Sequence, residues 1–239
     1  MWDCTTKYRP GMPSRPDQDV EHLIEVAEYQ GQETVAIACT QLSSRYSAAQ
    51  ARKVVSDWVE FFASGPSPIR DLRFRSRTPK RLFASLGAQT QLQRLAVKWG
   101  DYEDLSVLTN FPDLCELSLG GASSVTSVEP LGRLMALEYL AIEGLKRAHD
   151  MSPLGRLENL TTLELGGDWK SPRIAHVDSI GFLRHLTKLE DLLLHTIIVD
   201  DLDYAPLLAL PRLRSVAVMK ARGMTPSHEH LKSVLPWSA

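Results

Sequence analysis

A chain of 239 residues with 44% hydrophobic and 23% charged side chains carries enough apolar mass for one sizeable core, which excludes disorder throughout. Its net charge of −2 conceals an uneven distribution: residues 69–98 hold eight bases against one acid, and residues 99–168 hold four bases against twelve acids. Grouped charge of this kind sets up a field able to orient a charged partner, although a solvated surface has the same appearance. No apolar run approaches the ~20 residues of a membrane span, and the first residues lack the charged-then-apolar order of a signal peptide. A cytoplasmic protein is therefore expected.

In chain order, residues 1–18 contain three prolines and a glycine and read as a flexible arm. Residues 19–68 read as an N-terminal capping region. A helix is expected over about Asp19–Tyr29, followed by an apolar strand or second segment over Thr34–Thr40. Val54, Val55, Trp58, Val59 and Phe62 then recur at helical spacing with Ser56 and Asp57 turned outward, which predicts a helix over Ser47–Ala63.

From Ile69 the chain repeats itself. The pattern L-x-x-L-x-L, with conservative replacements, occurs at Ile69/Leu72/Phe74, Leu92/Leu95/Val97, Leu114/Leu117/Leu119, Leu137/Leu140/Ile142, Leu160/Leu163/Leu165, Leu189/Leu192/Leu194 and Leu213/Val216/Val218. Successive units start 23, 22, 23, 23, 29 and 24 residues apart. The last two apolar positions of each unit lie two apart and so share one side of a short strand. A turn follows, and then apolar residues at three-residue spacing, such as Val125, Val128, Leu131 and Leu134, which suit a 3₁₀ segment behind the strand. One such unit cannot bury its own apolar face. Neighbours must stack, giving about seven short strands in a parallel sheet that curves because its helical back is the wider side.

The segments SVEPLGRLMALEYLAI, MSPLGRLENLTTLEL and SIGFLRHLTKLEDLLL resemble the short, roughly 22-residue leucine-rich repeats of the internalin and phosphatase-regulator subtypes. The resemblance covers about Ile69 to Val218, within a repeat domain of residues 69–222, and implies an α/β leucine-rich-repeat solenoid with 3₁₀ or short helices on its convex side and a helical N-terminal cap. It also implies a turn-satisfying Asn three residues after each strand's last leucine. Here those positions are Arg77, Gly100, Ala122, Leu145, Asp168, Ile197 and Ala221, so less uniform turns are expected.

The 29-residue interval holds an excursion, GGDWKSPRIAHVDS. Extra residues in a repeat go to a loop, and exposed loops on rigid scaffolds often carry recognition. Trp169 is its candidate contact, or else a cover for an adjacent repeat. In residues 223–239, Pro226 is a candidate helix start, and Leu231, Val234 and Trp237 form an apolar edge to close the last repeat.

Extended concave surfaces are what solenoids offer partners. Strand alternation assigns Arg73, Arg75, Arg94 and Lys98 to a basic end of that face and Glu116, Glu143 and Glu164 to an acidic stretch beyond it, with His195 on a later strand. Tyr139 and, at the strand edge, Trp99 are the candidate aromatic anchors. The expected partner is another protein or peptide, bound by an adaptor or by an inhibitor of the immunity type.

The alternative is a nucleic-acid or phosphorylated-ligand binder centred on Arg73, Arg75, Arg94 and Lys98. The acidic middle would repel a long polyanion and confine phosphate contacts to one end. Cys4, Cys39 and Cys115 are scattered, and no phosphate loop, G-x-S-x-G or H-E-x-x-H is present. No enzyme, metal or cofactor is therefore expected. His228-Glu229-His230 as a metal site, and His176 with Asp178 or His149 with Asp150 as an acid/base pair, are weaker signals that geometry must decide.

Overall fold

The computed structural model describes residues 20–167 and 174–238. Its main sheet has nine parallel strands in the order β1 (His22–Leu23), β2 (Thr34–Ile37), β3 (Asp71–Thr78), β4 (Arg94–Gly100), β5 (Glu116–Leu119), β6 (Tyr139–Glu143), β7 (Thr162–Gly166), β9 (Asp191–His195) and β11 (Ser215–Val218). Seven of these are the strands of the sequence repeat, and two more precede them. The remaining pair, β8 (Ala175–Val177) and β10 (Ile197–Val199), form a separate two-stranded parallel sheet.

The register follows the leucines. Leu72, Leu95, Leu117, Leu140, Leu163, Leu192 and Val216 sit side by side, as do Phe74, Val97, Leu119, Ile142, Leu165, Leu194 and Val218. Both rows are buried and belong to one continuous core. Slipping one strand by a residue would turn its whole apolar set outward, so burial fixes the register.

The back of the sheet is built from 3₁₀ segments at Ser106–Asn110, Glu129–Arg133, Ser152–Arg156, Gly181–His185 and Ala205–Ala209. Each begins the same way. The side chains of Asp104, Ser127, Asp150, Ser179 and Asp203 accept a hydrogen bond from the backbone N–H two residues on, at 2.8, 3.2, 2.8, 3.0 and 2.9 Å. The side chain thereby satisfies a turn donor that has no partner within the segment. The next residue (Leu105, Val128, Met151, Ile180 or Tyr204) is buried, and so is the third after it (Leu108, Leu131, Leu154, Leu183 or Leu207).

α1 (Ala48–Ala63) occupies the same place between β2 and β3 that a 3₁₀ segment takes in later repeats. Ser47 caps it, accepting from Gln50 N while Gln50 Oε1 accepts from Ser47 N. The helix buries Val54, Val55, Trp58 and Phe62. Trp58 Nε1 donates to Ile24 O at 2.8 Å, and Phe62 meets Phe74 edge-on at 6.2 Å between ring centres. The expected helix over Asp19–Tyr29 is instead β1 and a single 3₁₀ turn at Val26–Glu28. Pairing with β2 through His22–Ala36 and Leu23–Ile37 satisfies this segment's backbone from outside, which a helix would have done internally.

At the other end α2 (His228–Val234) starts two residues after Pro226, with Ser227 as its cap. Leu231 is buried, whereas Val234 is exposed and does not join the closing edge. Beyond the helix the chain runs along β11, where Val216 N donates to Pro236 O and Ser238 N donates to Val216 O. This edge of the sheet is thus covered, a usual defence against edge pairing.

Candidate protein-interaction face

The sheet's face away from the core carries two lanes of side chains fixed by strand register. One reads Asp71, Arg94, Glu116, Tyr139, Thr162, Asp191 and Ser215; the other reads Arg73, Ala96, Ser118, Ala141, Glu164, Leu193 and Ala217. Glu116, Tyr139 and Glu164 are half-buried. In the second lane the small residues Ala96, Ser118 and Ala141 form a shallow floor between Arg73 and Glu164. These ends are four strand steps apart, about 19 Å at the usual spacing.

The basic end is less simple than its residue count. Asp71 lies between two arginines, accepting from Arg73 Nη2 at 2.9 Å and from Arg94 Nε at 3.0 Å. Burial pushes the Asp71 carboxyl up, but the bonds and charges of Arg73 and Arg94 outweigh it and hold the group below the ordinary carboxylate value. Arg94 is only 8% exposed, so its guanidinium acts mainly within the sheet rather than as an outward contact. Arg77 pairs with Asp101 at 2.5 Å, and Lys80 pairs with Glu103. Four cations of the basic run are thus held by acids of the chain itself.

Trp99 is 37% exposed at the strand ends, with the Arg77 guanidinium 5.7 Å from its ring centre. Arg75 is half-buried, and Lys98 and Glu143 are exposed. His195 is 9% exposed. Its ring lies over Gly166, where a Cβ would come within 1.9 Å of Nε2. Only glycine on β7 permits that approach. Burial drives the imidazole's pKa down to about 4, so His195 is neutral near pH 7. Trp169 lies outside the described residues.

The turns following the strands contain no asparagine ladder. Ala122, Leu145, Ile197 and Ala221 occupy its places with buried side chains, while Asp168 lies outside the described residues. Backbone groups pair directly instead, as in Ala122 N to Glu143 O at 2.8 Å and Gly144 N to Gly166 O at 2.9 Å. Gly121 and Gly144 take positive φ there.

The weaker sequence signals resolve differently. His228 packs edge-on against Trp237 at 4.9 Å, and Glu229 pairs with Lys220 at 2.5 Å, so the terminal triad does not converge on one point. His176 pairs with Asp200 at 2.6 Å rather than with Asp178, and Asp150 is committed to its turn. The Asp/Ser ladder of the back went unread although its spacing is visible in the sequence as D/S, then an apolar residue, then two positions, then Leu or its equivalent.

The sequence matches no protein-family model, and no curated protein is significantly similar to it. Solved structures are similar in fold. The plant peptide hormone receptor RGFR1, solved in complex with RGF2, superposes with a TM-score of 0.50 at 15% identity over 67% of this chain and 26% of that one. Internalin C2 of Listeria monocytogenes gives 0.45 at 18% identity over 78% and 80%, and an internalin (inlF) of the same organism gives 0.42 at 18% identity over 64% and 49%. The chain thus spans about half the length of that second internalin and about a quarter of the plant receptor.

Proposed function

We propose that the chain, whose fold is a leucine-rich-repeat solenoid, is a non-enzymatic module that holds a segment of another protein or a peptide along the open face of its sheet. The observation that carries this reading is the second lane: a floor of Ala96, Ser118 and Ala141 between Arg73 and Glu164, flanked by Tyr139. Small side chains let an extended segment approach the sheet, and opposite charges at the two ends set its direction. Tyr139 adds an aromatic contact of the kind that dominates interface energy. A protein of the same fold solved with a bound partner, RGFR1 with RGF2, supports the reading by analogy of fold. The finer form is an inhibitor or immunity-type protein that covers its target's active site with this face.

The internal pairing of Arg73, Arg77, Lys80 and Arg94 with acids weighs against the alternative of a phosphate-binding basic end, since each cation would have to leave a partner to reach a phosphate. A displayed peptide library selected on the immobilised protein supplies the test. Tyr139→Ala, Glu143→Lys and Ser118→Arg, which fills the lane, should each weaken a selected binder at least about tenfold, while Met135→Lys on the back leaves it unchanged. Binders that tolerate all three face substitutions, or whose affinity collapses steeply with salt as for a polyanion, would overturn the assignment.

A further inference from the structure

The 29-residue repeat does more than extend a loop. In the small sheet it builds, Ala175, Val177, Ile197 and Val199 are buried, so alternation turns His176, Asp178 and Asp200 outward. Backbone bonds lock the three contributing segments together: Asp200 N donates to Val177 O at 2.8 Å, Asp201 N to Asp178 O at 3.2 Å, and Asp178 N to His149 O at 3.0 Å. The result brings side chains from three successive turns to one point. The ligand-type atoms of His149, Asp178 and Asp200 all lie within 4.8 Å of one another, and His176 Nδ1 is 2.6 Å from Asp200 Oδ1.

A second observation concerns charge. Asp57, Asp71, Asp101, Glu103, Glu129, Glu190, Asp203 and Glu229 each face a lysine or arginine within ion-pair distance. Asp178 and Asp200 face each other, Asp200 also pairing with His176, and among the described residues neither has a lysine or arginine partner. Two carboxylates at this range repel by about 1 kcal/mol even in water, and a cation between them removes that cost.

We propose that His149, Asp178 and Asp200 form a binding site for a divalent transition-metal ion of the zinc type, with His176 positioning Asp200. One imidazole and two carboxylates are a borderline donor set that favours such an ion over calcium or magnesium, which prefer all-oxygen surroundings. Bonds of about 2.0–2.2 Å require tetrahedral donors roughly 3.4 Å apart, a contraction that rotation of three exposed side chains supplies. The hydrogen bond from His176 is the outer contact that orients a ligating carboxylate. Three protein donors leave a tetrahedral ion one open position. The bound ion would fasten the turn before Ser152–Arg156 to the small sheet.

Calorimetric titration of the metal-stripped full chain with Zn²⁺ tests this, using a His228→Ala/His230→Ala background to remove the terminal histidines. One ion should bind wild type and background alike, and His149→Ala/Asp178→Asn should weaken it by at least about tenfold. Co²⁺ added to the wild type should give a visible ligand-field band that His149→Ala alone removes. The assignment fails if the double substitution leaves Zn²⁺ affinity unchanged, or if Ca²⁺ binds as tightly as Zn²⁺. His149 and Asp178 are exposed, and the metal-free double variant should melt within a degree or two of its metal-free background.

Discussion

The two sets of turns that close each repeat solve the same problem in different ways. On the back, a side-chain oxygen from Asp104, Ser127, Asp150, Ser179 or Asp203 satisfies the opening N–H of each of five 3₁₀ segments, and the geometry recurs almost unchanged. At the ends of the strands no side-chain ladder exists among the described residues. Those turns rest on backbone pairing, on glycines at positive φ, and on the particular contact of His195 over Gly166. The lesson is that repetition requires a local device in each unit. Where the device is present the units are interchangeable, and where it is missing each turn needs its own solution and can accept an insertion such as the small sheet.

This contrast can be broken most sharply at Gly166. Gly166→Ala drives a methyl into the His195 ring and should cost about 2 kcal/mol or more, as overpacking does. Adding His195→Ala should restore much of the loss, a coupling measurable by urea unfolding of the four proteins of the cycle. Equal, additive losses would show that the ring is not the obstacle. On the back, Asp150→Ala removes one of five equivalent bonds and should cost about 1 kcal/mol. Asp104→Ala should give nearly the same value if the ladder units are equivalent.

A third effect appears in acid. His195 has a folded pKa of about 4, below that of an unfolded histidine at about 6.5, so the unfolded chain binds the extra proton between these values. Its contribution is fully present above about pH 6.5 and is lost as pH falls toward 4. Asp191, pushed up by burial and by Glu190, acts in the opposite sense. The clean measurement is therefore the difference between wild type and His195→Gln, whose stability gap should narrow as the solution is acidified.

Much of this architecture was legible in the sequence because repetition amplifies a weak local signal. The seven leucine patterns gave strands, register and outward lanes together. β2 was harder: Gln32 stands where the pattern places its first leucine, and only Val35 and Ile37 mark the strand. β1 is two residues long and has no period to detect. The outward assignment of Arg94 followed correctly from alternation, yet alternation says nothing of Asp71 on the next strand, whose carboxylate holds its guanidinium. Such cross-strand pairs join residues one repeat apart, as Arg77 and Asp101 do, and become visible only once the register is known. The small sheet could not be read because three-residue strands of mixed character look like any loop.

The two margins of the main sheet differ in kind from its middle. α1 and the strand β1 belong to one end, and the Trp237–Ser238 segment that covers β11 belongs to the other; neither resembles the units between them. Between these ends the back ladder lets one unit of about 23 residues fit against the next. Each unit widens the open face by about 4.8 Å, so the number of interior repeats sets the breadth of that face in fixed increments.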